Sequence, residues 1–127
     1  MGKISGVHHI SMKCGQNSEF ERAKAFYIDL LGFCIAREWP EGVMLYTGNI
    51  MLEIFCNGDG IRSKGAIRHV AFGTDDVDGM IETVRSAGYR VLIEPKDIVI
   101  RSDPEHHARM AFCYGPLGEE IEFFHDQ

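Results

Sequence analysis

The chain writes the same order of elements twice, and that repeat limits its fold more than any other feature. Two segments carry helical periodicity. In "SEFERAKAFYIDLLG", Phe20, Ala23, Phe26, Tyr27, Leu30 and Leu31 make one apolar stripe. Ser18 followed by Glu21 has the spacing of a capping box, and Gly32 stands where a left-handed C-terminal glycine is favoured. In "DDVDGMIETVRSAG", an Asp pair can cap the start. Val77, Met80, Ile81, Val84 and Ala87 form the stripe, and Gly88 stops it. One strand-like segment precedes each helix: "VHHISMK" and "IRHVAFG". Three follow each: "FCIAREW", "GVMLYTG" and "IMLEIFC" after the first, then "RVLIEP", a segment around "RMAFCYG" and "EEIEFF" after the second.

The order βαβββ, twice, predicts an α+β fold: two βαβββ modules forming a curved mixed-sheet cup with helices on the outside. A length of 127 residues fits a single domain, 1–127, built of half-repeats at about 1–60 and 66–127. Each half has too little core to be comfortable alone, so the halves are expected to pack together or to pair with halves of another chain. The Gly-rich polar stretch "CNGDGIRSKG" (56–65) is read as the connector. "KDIVIRSDPEHHAR" (96–109) is an insertion absent from the first half and is read as a second loop, within which "DIVIR" fits either a strand or a lid.

Composition excludes several classes. No apolar run approaches the roughly 20 residues of a membrane helix, and the N-terminus lacks a leader pattern, so a cytoplasmic protein with no membrane partner is expected. The net charge is −6, with no Lys/Arg stripe, which argues against nucleic acid. Cys14, Cys34, Cys56 and Cys113 form no C-x-x-C pair and sit among apolar neighbours; they are read as reduced, core-like residues.

Strand parity then gathers four side chains. Ile50, Leu52, Ile54 and Cys56 suit a helix-covered face, so Glu53 points the other way. Ile121 and Phe123 leave Glu122 facing away in the same manner, and Val70 and Phe72 leave His69 opposite, with Ala71. In "VHHISMK", Ile10 and Met12 lie on the side of His8, and His9 shares its face with Ser11 and Lys13. If the first helix covers Ile10 and Met12, His9 joins the non-core face. His9, Glu53, His69 and Glu122 then come from equivalent places in the two halves. Imidazole nitrogen and carboxylate oxygen suit zinc, nickel, cobalt, manganese or iron. Each residue alone has a plain reading: a hydrogen-bonded histidine, or the wet face of a strand. His106, His107 and His125 stay in that plain class.

The segments "VHHISMK", "AFYIDLLGF", "IMLEIFCN", "IRHVAFGTDDVDGM" and "GPLGEEIEFF" resemble the vicinal oxygen chelate superfamily over essentially the whole chain. A His and a Glu in each half resembles glyoxalase I (lactoylglutathione lyase). That resemblance implies that His9, Glu53, His69 and Glu122 hold a divalent metal, nickel or zinc first, with cobalt, manganese or iron as alternatives. It implies a hemithioacetal substrate isomerised through an enediolate, with Glu122 as the first choice of base and Glu53 the second. Asn57 matches an Asn that contacts glutathione in that family, and Lys13 stands where those enzymes usually carry Arg. The resemblance implies a small-molecule substrate, a glutathione or other thiol adduct; Lys cannot make the bidentate fork of Arg, and the closing turn "YGPLGEE" departs from the family's usual wording, and these departures bear on the thiol rather than on the metal. Arg101 and Arg109 of the insertion are candidates to touch an anionic substrate. The family's members of this size resemble partner-built homodimers, with His9 and Glu53 of one chain meeting His69 and Glu122 of the other. Two other readings use the same fold: a metal-dependent epimerase or isomerase working through an enolate, and a metal-free binding protein of the bleomycin-resistance type.

Overall fold

The computed structural model describes residues 7–16, 18–60, 69–102 and 104–127. The chain divides into two units, Met1–Arg62 and Ser63–Gln127. The division falls in the expected connector, of which residues 61–65 lie outside the described residues, as do residues 1–6.

The first unit runs β1 (His9–Lys13), α1 (Ser18–Lys24), a π-helical continuation (Ala25–Leu30), β2 (Cys34–Trp39), β3 (Gly42–Tyr46) and β4 (Met51–Phe55). Its sheet has the order β1-β4-β3-β2, with β1 and β4 parallel and the other pairs antiparallel. The second unit runs β5 (Val70–Gly73), α2 (Val77–Ser86), β6 (Val91–Ile100), β7 (His106–Tyr114) and β8 (Glu120–Asp126). Its sheet has the order β5-β8-β7-β6, again with only the first pair parallel. The two modules therefore share one topology, βαβββ in a mixed four-stranded sheet, as the repeat predicts.

Each helix stripe meets the predicted sheet face. In the first unit Ala23, Phe26 and Tyr27 are buried with Val43, Leu45, Leu52 and Ile54. In the second, Val77, Ile81 and Val84 are buried with Ala111, Cys113, Ile121 and Phe123. Each large aliphatic or aromatic side chain so buried contributes about 1.5–3 kcal/mol. Asp76 caps α2 by accepting from the Gly79 N–H at 2.9 Å. Both helices end on a left-handed glycine, Gly32 (φ 81°) and Gly88 (φ 92°).

Five expectations need correction. The first helix is α only to Lys24; beyond it Leu31 N–H donates to Phe26 O, five residues back, at 3.0 Å. Apolar spacing does not separate the two forms, because the wider turn still buries both Phe26 and Tyr27, whose rings meet edge to face at 5.0 Å. The capping box does not form: Ser18 is already helical, Glu21 pairs with Lys24 at 3.2 Å, and it is Glu19 that accepts from the Gly15 N–H at 2.6 Å. Ala87 is the C-terminal cap of α2 and exposed, because the helix ends one residue earlier than its stripe. The insertion at 96–109 is not a loop. β6 extends to Ile100 and β7 begins at His106, with Val99 opposite His107 and Ile100 opposite His106. Cys34 is exposed on an edge strand, whereas Cys14, Cys56 and Cys113 are buried as expected. Burial pushes the Cys113 thiol up to about 12, so it stays neutral.

Candidate metal-binding pairs

Register explains how each unit brings one His to one Glu. In the first unit Ser11 lies beside Glu53 across the parallel pair, so His9, two residues earlier, shares the Glu53 face. Alternation along β1 follows: Ile10 and Met12 are half-buried, and His9, Ser11 and Lys13 are exposed. His9 Nε2 stands 3.7 Å from Glu53 Oε1. In the second unit Ala71 lies beside Glu122, and His69, two residues earlier, brings Nε2 to 3.4 Å from Glu122 Oε1. The two units thus repeat one arrangement down to the offset of its residues.

Both carboxylates are nearly covered, with residue exposures of 8% for Glu53 and 9% for Glu122. On the far side of Glu53 lies Met44, and on the far side of Glu122 lies Phe112. Phe112 also meets His69 edge to face at 5.1 Å. Burial raises the Glu122 carboxyl above its ordinary value, and the neighbouring His69 partly offsets this. His8, which precedes β1 and so escapes strand alternation, places its Nδ1 2.9 Å from Nδ1 of His9. Two bare ring nitrogens would repel, so one of them carries the proton. With it on His9, His9 Nε2 is left bare toward Glu53.

The donor set fits a divalent cation. Two ligands each about 2.1 Å from a tetrahedral ion stand about 3.4 Å apart, close to the 3.7 and 3.4 Å found here. Within either unit, among the described residues, no group of three or more His, Cys, Asp or Glu side chains is gathered to hold a metal. Each unit offers a pair.

The remaining candidates divide. Lys13 shares the His9–Glu53 face, and its ammonium lies over the Phe55 ring at 5.5 Å. Asn57 is exposed just beyond β4. Arg109 is not free for a substrate, because it forks onto Asp78 (2.7 and 2.8 Å) and reaches Asp97 (3.1 Å). Arg101 is held by Glu105 at 2.8 Å. His106 pairs with Asp126 and His107 with Glu105, in keeping with their plain reading. Sequence reasoning missed Phe55, Met44, Trp39 and Arg37 on the Glu53 face. Parity alone finds Phe55, two residues after Glu53. It fails for Arg37 and Trp39 because the β2–β3 register shifts by one residue between Ile35 and Arg37, which moves them to the other face.

Paired βαβββ modules, each with a His and a nearly covered Glu on the sheet face away from its apolar core, define a class of two-module α+β proteins with a repeated donor pair. Residues 6–123 match the model of the Glyoxalase/Bleomycin resistance protein/Dioxygenase superfamily, and the chain belongs to that superfamily. A curated relative, the uncharacterized protein YwkD of Bacillus subtilis, is 30% identical over 95% of this chain and 97% of its own length. Two solved structures share the fold. A genomically encoded fosfomycin resistance protein from Listeria monocytogenes has a TM-score of 0.74 at 16% identity, covering 98% of this chain and 96% of that one. A lactoylglutathione lyase from Agrobacterium tumefaciens has a TM-score of 0.66 at 17% identity, covering 98% and 96%. Among the described residues no helix is long and apolar enough to cross a membrane.

Proposed function

We propose that the protein is a metal-dependent, glyoxalase I-like lyase acting on a hemithioacetal, with His9, Glu53, His69 and Glu122 as the ligands of one divalent cation, nickel or zinc, in a homodimer. The observation that carries this reading is the repeated pair: a bare-capable imidazole Nε2 and a nearly covered carboxylate oxygen, at ligand-like separation, in both units. A domain that only sequesters a ligand has no use for burying two acids beside two histidines, since burial of a carboxylate is costly without a cation. The reading is supported by the superfamily match and by the fold that the chain shares with a lactoylglutathione lyase and a fosfomycin resistance protein.

A bound divalent cation would supply Lewis-acid stabilisation of negative charge on the two neighbouring substrate oxygens. The chain's own part is proton transfer. A Glu122 oxygen would take the proton from one substrate carbon and return it to the adjacent carbon, while the hydroxyl proton passes from the first substrate oxygen to the second, so the product is an isomer and no redox partner is consumed. Glu53 is the alternative base. Phe112 and Met44 flank these carboxylates with apolar surface and limit the water that would compete for the proton. Lys13, on the Glu53 face, and Asn57 are the proposed substrate contacts.

The test is turnover of hemithioacetals by metal-supplemented protein, with acyl-CoA esters screened in parallel. Glu122→Gln is expected to lose about 10²- to 10⁴-fold in rate while keeping one oxygen donor. An unimpaired Glu122→Gln variant moves the base to Glu53. Turnover of acyl-CoA esters and of no thiol adduct replaces the lyase by an epimerase.

A further inference from the structure

The two histidines of the repeated pairs are not held alike. Each faces a nearly covered carboxylate. Only His9 follows a second histidine, because the residue before His69 is Arg68. Arg has no acceptor to offer a ring N–H. The His69 ring is met edge to face by Phe112 at 5.1 Å, and the His9 ring meets His8.

Backbone pairing anchors His8 where it stands. Its carbonyl oxygen accepts the Met51 N–H at 3.1 Å, and Met51 is the partner of His9 across β1 and β4. His8 is thereby tied to β4, although it precedes β1 and its side chain escapes the strand's alternation. The two rings lie at 84° with their centroids 5.1 Å apart. They meet through their Nδ1 atoms at 2.9 Å and not by stacking.

The direction of that hydrogen bond follows from the other end of His9. His9 Nε2 stands 3.7 Å from Glu53 Oε1, beyond hydrogen-bond range. Glu53 is therefore not the acceptor of a His9 N–H. Among the described residues the hydrogen-bond partner of His9 is His8. A neutral imidazole has one N–H and one bare nitrogen. A His9 Nδ1–H that donates to His8 Nδ1 leaves His9 Nε2 bare on the Glu53 face. A ligating histidine generally donates its second ring N–H to an acceptor that fixes its tautomer and ring orientation; in the first unit an imidazole stands in that place.

We infer that His8 is a positioning residue for His9: its Nδ1 accepts the His9 Nδ1–H and holds His9 Nε2 bare and directed at the side of Glu53. That His9 is a metal ligand rests on the proposed function; the hydrogen bond does not. The device belongs to the first unit alone, so the repeat is broken at this one place.

Ring-nitrogen NMR of protein labelled with ¹⁵N-histidine, stripped by a chelator and held at about pH 8.5, above the ordinary histidine range, reads the tautomer directly. His9 is expected in the Nδ1–H form. His8→Ala should return it toward the Nε2–H form that an unconstrained imidazole prefers. His8→Asn, which places an acceptor oxygen at the same bond count as Nδ1, should restore the Nδ1–H form. His69 should be unchanged in both variants, which controls for loss of fold. Titration with zinc or nickel should show binding about tenfold or more weaker in His8→Ala and close to wild type in His8→Asn. His9 in the Nε2–H form in wild type, or a tautomer unmoved by His8→Ala, overturns the inference. Metal bound equally by wild type and His8→Ala removes the positioning role and leaves the four ligands standing. A wild-type protein with His9 in the Nδ1–H form that takes up no metal keeps the hydrogen bond and removes the metal reading, and with it the role of His8 toward a ligand.

Discussion

Gly42→Ala tests whether the first sheet is built around a missing side chain. A Cβ at this position would lie 2.6 Å from the Ile54 carbonyl oxygen, 3.3 Å from Phe55 Cα and 3.1 Å from Trp39 Cζ2. Two of these are backbone atoms of β4, which cannot swing aside as a side-chain tip can, so β3 and β4 must separate. Overpacking of this kind costs about 1–3 kcal/mol. For a chain of this length each kcal/mol moves the melting temperature by about 4 °C, so a fall of about 4–12 °C is expected. Gly73→Ala is the matched control. Its Cβ meets nothing within 4 Å, and Gly73 is not among the positive-φ glycines. Reduced freedom in the unfolded chain should then stabilise the protein by about 0.4–1 kcal/mol. Thermal melts by circular dichroism measure both, and Trp39 emission should shift only in the Gly42 variant. A Gly42→Ala protein as stable as the parent, or a Gly73→Ala protein that falls as far, would refute the reasoning.

Two further outcomes follow from the charges and the repeat. Hydrogen bonds from Arg109 lower the Asp78 carboxyl, and those from Arg85 lower Glu94, from ordinary values of 3.8 and 4.5. A depressed carboxyl stabilises the fold above its ordinary value and loses that contribution as pH falls through the depressed one. The stability advantage of wild type over Arg109→Gln and Arg85→Gln should therefore be present at neutral pH and shrink in chemical denaturation below about pH 4; an advantage that stays constant to pH 2 would count against these pairs. In a homodimer whose site takes one pair from each chain, mixing inactive His9→Ala and His69→Ala proteins should regain activity after subunit exchange, because one of the two sites is then intact. Absence of any regain places all four ligands within one chain.

The fold was legible in the sequence where apolar periodicity alone decides it. Leu52, Ile54, Ile121 and Phe123 set the core faces of two strands, and the same parity put Glu53, Glu122, His9 and His69 on the other side. Where a second physical effect intervenes, periodicity is silent. Phe26 and Tyr27 fit an α or a π turn equally well. The polar hairpin around residues 96–109 is held by backbone pairing between β6 and β7, and composition does not report backbone pairing. The shift at Ile35 reverses the facing of Arg37 and Trp39, and no residue type there announces it. His8 lies one residue outside β1, so alternation gives no warning that its ring would meet that of His9.

The central claim is one divalent cation held by His9, Glu53, His69 and Glu122, and metal titration of purified protein tests it most directly. The wild-type protein should take up one nickel or zinc ion per site, and single alanine variants at each of the four positions should remain folded with much weaker uptake. Stoichiometric metal retained by all four variants would contradict the account.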